Sequence, residues 1–190
     1  MTKTNQRLIE AAAALLDSGG EEALTLRAVG QAAGVSHNAP YKHFANRNAL
    51  LAAVAAVDFA EMGKAFRKAA QSAAPPRQKL IDALKSVSAF SVQHPARYRL
   101  LFSEPALAES DSIELKTSAV GAFGEFLGIV DACQAARVLP DIPSSAIAGL
   151  LFASIHGLNS MSSSGRLRTE KGFASVESSI ELLVDLISQK

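Results

Sequence analysis

The chain has no tryptophan, two tyrosines and a single cysteine in 190 residues. A lone cysteine, Cys133, closes no internal disulfide and supplies no cysteine-based metal cluster, so it reads as a small buried apolar residue on a helix. No run approaches the roughly eighteen apolar residues that a membrane span requires. The opening residues, MTKTNQRLIEAAAALLDSGG, carry an acid and periodic apolar positions where a signal peptide would carry an apolar block. These absences lead to the expectation of a cytoplasmic protein with no membrane partner. Catalytic signatures are missing too: there is no Gly-rich phosphate loop, no H-E-x-x-H, no G-x-S-x-G and no metal-spaced Cys/His cluster. The four histidines, His37, His43, His94 and His156, are scattered. No catalytic residue, metal site or cofactor is therefore assigned, and the chain is not expected to be an enzyme.

What is present is a chain rich in apolar residues, 48% of the total, with a formal net charge of +1. That is enough apolar material for a sizeable core, and a near-neutral total means that any nucleic-acid site must be a local patch. Apolar residues recur at helical spacing almost throughout, and no segment alternates as a strand would. Leu8, Ile9, Ala12, Leu15 and Leu16 mark a first helix that ends at Ser18-Gly19-Gly20. A helix capped by Asn46 can run to about Gln71, where Pro75-Pro76 stops it; some twenty-five residues at 1.5 Å each give about 38 Å. Leu80 to Val92 mark the next, ended by His94-Pro95, and Tyr98, Leu101 and Phe102 a short one. Val120, Phe123, Phe126, Leu127, Val130 and Cys133 mark a long one. The last two carry Ile147, Leu150, Leu151, Ile155 and Leu158, then Phe173, Val176, Ile180, Leu183, Val184 and Ile187. A polar link, Ser160 to Gly165, is expected between them. The fold class is all-α with about nine helices.

The most informative stretch is Thr25 to Leu51, TLRAVGQAAGVSHNAPYKHFANRNALL. Thr25 can cap a helix whose inward face is Leu26, Val29 and Ala33. Gly34 can end it in a left-handed conformation, Val35 can turn inward, and Ser36 can cap the following helix, Ser36 to Phe44. This order of signals is that of a helix-turn-helix, whose second helix enters the DNA major groove. No acidic residue lies between Glu22 and Asp58, as a surface facing phosphates requires. Two other acid-free runs, 83–103 and 142–169, show that this signal is not exclusive. Pro40 disagrees with a helix capped at Ser36, because its ring would press on the Ser36 carbonyl. Either the first turn is distorted or the helix starts one or two residues later.

From Leu26 to Leu51, AAGVS followed by YKHFANRNALL resembles the DNA-binding domain of the TetR family of transcriptional regulators. Tyr41 and Phe44 match its Y-x-x-F signature, and Arg47 and Leu50 its K-x-x-L. Further on, HPARYRLLF and FASIHGLNSMSSSGRL resemble the C-terminal domain of a subgroup marked by a Trp-His-Gly motif, with Ile155 in place of the tryptophan. The resemblance implies an N-terminal three-helix domain over residues 1–48 and a C-terminal helical regulatory and dimerisation domain over residues 49–190. It implies a homodimer on a palindromic double-stranded DNA operator, responsive to a small-molecule effector, and an N-terminal arm with Lys3, Thr4, Asn5 and Arg7 near the DNA backbone.

Within that frame, His37, Asn38 and Ala39 are candidates for base edges: imidazole to guanine, amide to adenine, methyl to thymine. Thr25, Arg27, Tyr41, Lys42, His43 and Arg47 are candidates for phosphates, with Ser36 at the same helix end. A ligand pocket is sought among Phe90, Phe102, Phe123, Phe126 and Phe152, with His94, Arg97, His156 and Asn159 as scarce polar groups. The last two helices offer a dimer face: Ile147, Leu150, Leu151, Ser154, Leu158, Val176, Ile180, Leu183 and Ile187. The competing class is an all-α small-molecule-binding protein or enzyme with an incidental helix-turn-helix.

Overall fold

The computed structural model describes residues 2–103, 107, 110–172 and 174–188; Phe173, expected at the head of the last helix, lies outside them. The described residues form nine α-helices and no strand: α1 (Lys3–Gly19), α2 (Leu26–Ala32), α3 (Ala39–His43), α4 (Arg47–Gln71), α5 (Pro76–Gln93), α6 (Pro95–Ser103), α7 (Ile113–Ala135), α8 (Ser144–Ser163) and α9 (Val176–Ile187). Most ends are set by local chemistry. Thr2 caps α1, accepting from Asn5 N at 3.3 Å, and Asn46 Oδ1 accepts from Ala49 N at 2.8 Å at the start of α4. Ser175 and Ser178 form a reciprocal capping box on α9.

Three helices close with the same pair of backbone bonds, in which the second residue past the cap returns to a carbonyl five residues earlier. Val35 N reaches Gly30 O at 3.0 Å, Val138 N reaches Cys133 O at 2.8 Å, and Arg166 N reaches Met161 O at 2.8 Å. The left-handed residue is Gly34 in the first, Arg137 in the second and Gly165 in the third. Helix α8 therefore runs through Ser160–Ser163, where a polar link was expected, and turns only at Gly165.

The chain divides into two compact units. The first is Met1–Ala60 with His94–Val120, and the second is Glu61–Gln93 with Gly121–Lys190. In the first, α1 packs on α2, α3 and α6. Its core is built from Leu8, Ile9, Ala12 and Leu16 of α1, Leu26 and Val29 of α2, and Leu50, Leu51 and Val54 of α4, with Leu100 of α6. In the second, α5, α8 and α9 pack on one another. Phe66, Leu80, Leu84, Phe126, Val130, Ile155 and Ile180 are fully buried there. The division by packing thus places α6 and the start of α7, through Val120, with the helix-turn-helix.

Candidate DNA-binding interface

Helix α2 begins as its sequence indicates: Thr25 Oγ1 accepts from Ala28 N at 3.1 Å, and Leu26, Val29 and Ala33 are buried. Gly34 adopts φ +62° and Val35 packs half-buried against the core. The recognition helix departs from expectation. Ser36 does not cap it; its carbonyl accepts from Ala39 N in a turn at 2.9 Å, and α3 runs from Ala39 to His43 with Asn38 as its cap residue. The helix starts two residues later than a Ser36 cap would place it. The physical reason is Pro40, which now lies at the second helical position, where no intrahelical N–H is needed. Pro40 is buried against α2: a Cβ added to Gly30 would lie 3.0 Å from its Cγ. Glycine and proline are therefore a matched pair that sets how closely α3 approaches α2.

The outward side of this element carries Arg27, Ser36, His37, Asn38, Tyr41, Lys42 and His43, all exposed, with Thr25 exposed and Ala39 partly so. Tyr41 is 59% exposed, although it is a large ring in a family signature position. Phe44 is its buried counterpart, so the Y-x-x-F pair has one ring out and one in.

Arg47 is placed differently from a free phosphate contact. Its Nε donates to Leu24 O at 3.0 Å and its Nη2 to Glu21 O at 2.7 Å, tying α4 to the α1–α2 connection. Arg7 is likewise engaged within the unit, donating Nη2 to Ala33 O at 2.5 Å.

The expected ligand-pocket residues divide between the two units. Phe102 belongs to the first, with Phe59 at 5.7 Å and Tyr98 at 5.0 Å between ring centroids. His94 and Arg97 are there too, in an ionic cluster with Asp17 and Asp58. Phe123, Phe126, Phe152 and His156 do come together in the second unit. Phe152 is the hub, 5.9 Å from Phe123, 4.8 Å from Phe126 and 5.9 Å from His156. Phe66 completes this cluster, 5.4 Å from Phe126; sequence reading missed it, although it follows Met62 by one turn on the same buried face of α4. Burial holds the His156 imidazole below its ordinary pKa of 6.5. Asn159 is buried and its Oδ1 accepts from Ser88 Oγ at 2.8 Å. Phe90 lies half-buried on α5.

The expected dimer residues are also of two kinds. Ile147, Leu151, Val176 and Ile180 are buried within their own unit and form part of its core. Leu150 is 68% exposed, Ser154, Leu158, Leu183 and Ile187 are half-buried, and Leu182 and Leu186 add exposed apolar surface. Leu150, Ser154, Leu183 and Ile187 also border an apolar hollow of about 90 Å³ with Pro140 and Ile142.

Two helices joined by a left-handed glycine turn, with a polar and basic outer row, define a helix-turn-helix DNA-binding protein. The model of the tetR family of bacterial regulatory proteins matches residues 8–54, and that of the tetracyclin repressor-like C-terminal domain matches residues 80–187. The chain belongs to the TetR family of transcriptional regulators. No curated protein matches it by sequence. Among solved structures, a protein of unknown function from Rhodococcus sp. RHA1 is 26% identical with a TM-score of 0.82, over 98% of this chain and 94% of that one. A TetR family transcription regulator from Marinobacter aquaeolei VT8 is 16% identical with a TM-score of 0.70, over 98% and 96%. The fatty acid degradation regulator FadR from Bacillus halodurans is 12% identical with a TM-score of 0.73, over 98% and 95%. The last two share the fold. No helix among the described residues is long and apolar enough to cross a membrane.

Proposed function

We propose that the protein is a cytoplasmic, ligand-responsive repressor that binds a palindromic operator as a homodimer. The observation that carries this reading is the outer row of α2 and α3. Arg27, Lys42, His37 and His43 face outward with Asn38 and Tyr41, in a segment free of carboxylates from residue 23 to residue 57. Asn38, His37 and Ala39, at the leading end of α3, read base edges; Thr25, Arg27, Ser36, Tyr41, Lys42 and His43 hold phosphates. Arg47 acts mainly from behind, by fixing the start of α4.

One recognition helix covers only a few base pairs, and half-sites lie about 34 Å apart, so a fixed partner is needed. The dimer face is assigned to Leu150, Ser154, Leu158, Leu183 and Ile187, with Leu182 and Leu186, backed by the buried Ile147, Leu151, Val176 and Ile180. Residues 1–48 form the DNA-binding domain and residues 49–190 the regulatory one, of the Trp-His-Gly subgroup with Ile155 at the tryptophan position. A small apolar effector binds beside Phe123, Phe152 and His156 and favours an arrangement in which the two recognition helices no longer match the operator. Its leverage equals the difference between its affinities for the two arrangements.

Selection of bound duplexes from fragmented genomic DNA, repeated with candidate effectors, tests the reading. A palindromic consensus whose recovery falls with one class of effector is expected; recovery of no sequence above random would overturn it.

A further inference from the structure

The first unit holds a chain of directional polar contacts that DNA reading does not explain. Arg97, on α6, donates Nε to Asp58 Oδ2 at 3.0 Å and Nη2 to Asp58 Oδ1, and Nη1 to Asp17 Oδ2 at 3.1 Å. The same Asp17 oxygen lies 2.9 Å from Nδ1 of His94, the residue that leads into α6. The same nitrogen lies 3.2 Å from Arg97 Nη1, which can only donate, so the tautomer of His94 decides whether Nδ1 donates to Asp17 or accepts from Arg97. Asp58, on α4, is 1% exposed and so needs its guanidinium partner merely to be buried. Asp17 has no such need. It is partly exposed on the last turns of α1, yet it accepts from Arg97 of α6 and lies against His94, which leads into that helix.

Ten residues before Asp17 on the same helix, Arg7 donates to Ala33 O at 2.5 Å. That carbonyl closes α2 and immediately precedes Gly34, the pivot of the helix-turn-helix. Helix C-terminal carbonyls lack intrahelical donors and carry partial negative charge, which a guanidinium satisfies on both counts. Between these two ends α1 is rigid, and ten residues span about 15 Å. Leu8, Ile9, Ala12 and Leu16 bury the face of α1 between them, so α1 is held as one close-packed body between its two polar ends. The two polar ends add directional contacts to that face, one to the α6 segment and one to the end of α2.

We propose that α1 is a coupling rod, in which Asp17 senses the position of His94 and Arg97 and Arg7 passes it to the helix-turn at Ala33, so that Asp17 and Arg7 are positioning residues for operator recognition. The proposal rests on the DNA-binding reading for its readout alone. A displacement of α6 within the first unit then reaches the recognition helix through α1.

The test is a double-mutant cycle on the full-length protein, using a duplex that the wild-type protein itself selects from a random pool. Asp17→Ala and Arg7→Met each weaken binding about fivefold, and the double variant is no weaker than the weaker single, far from the ~25-fold of independent effects. Melting curves measured alongside ensure that folded proteins are compared, and Asp17→Asn and Arg7→Lys serve as the milder pair if either first variant folds poorly. The slope of log affinity against log salt stays unchanged in Arg7→Met, whereas an Arg7 that touched phosphate would lower it by about one. A multiplicative double variant, Asp17→Ala within twofold of wild type, or a reduced slope would each overturn the rod. Failure of the wild-type protein to select any duplex would instead overturn the DNA-binding reading.

Discussion

A Cβ on Gly30 would lie 3.0 Å from Cγ and 3.3 Å from Cδ of Pro40. The glycine lies inside α2 and the proline in the first turn of α3, so the pair sets the spacing of the two helices. Gly30→Ala is expected to destabilise the protein by about 1–3 kcal/mol through overpacking, less the ~1 kcal/mol that alanine gains in a helix. Pro40→Ala removes the atoms that clash. In chemical denaturation, the double variant should therefore be more stable than Gly30→Ala alone; equal or lower stability would show that the contact is not limiting.

Helix α7 ends with Arg137 in a left-handed conformation, φ 56°, where the equivalent residues after α2 and α8 are glycines. A side chain there costs about 1–2 kcal/mol, which glycine avoids. Arg137→Gly is expected to raise the melting temperature by about 2–4 °C per kcal/mol recovered. An unchanged or lowered melting temperature would mean that the arginine side chain compensates through contacts of its own.

Burial holds the pKa of His156 below 6.5. Protonation is then harder in the folded than in the unfolded state, and the unfolded state binds more protons once the pH falls below about 6.5. Stability should be complete above that pH and decline as the pH drops through it towards the folded value. His156→Gln should lose this part of the pH dependence, measured as denaturation midpoints between about pH 5 and pH 7.5. Parallel curves for wild type and variant would contradict the assignment.

Much of the fold was legible in the sequence because its punctuation is local. Thr25, Gly34, Asn46, Pro75-Pro76 and His94-Pro95 act on the residues beside them, and the helices begin and end where those residues stand. Pro40 was legible as a conflict, and a start two residues late is how the structure resolves it. What a helical stripe cannot show is which neighbour covers it. Ile147 and Leu150 lie three residues apart in one apolar pattern, yet one is buried and the other exposed. Phe102 and Phe126 looked alike and lie in different units. The ionic cluster went unread, although Asp58 offered a signal. A lone acid within AAVAAVDFA must be buried by its helical position, and a buried carboxylate calls for a cation from elsewhere in the chain.

The central claim, that α2 and α3 form a DNA-reading surface divided between base and phosphate contacts, is tested most directly by affinity profiling on a library of operator variants. Wild type, Asn38→Ala, Tyr41→Phe and Lys42→Ala should be compared at two salt concentrations. Asn38→Ala should lose about 1–3 kcal/mol of discrimination at one base position. Lys42→Ala should weaken binding to every sequence alike and reduce the salt slope by about one, and Tyr41→Phe should weaken every sequence alike. Identical, sequence-independent losses in all three variants, or no loss in any, would contradict the account.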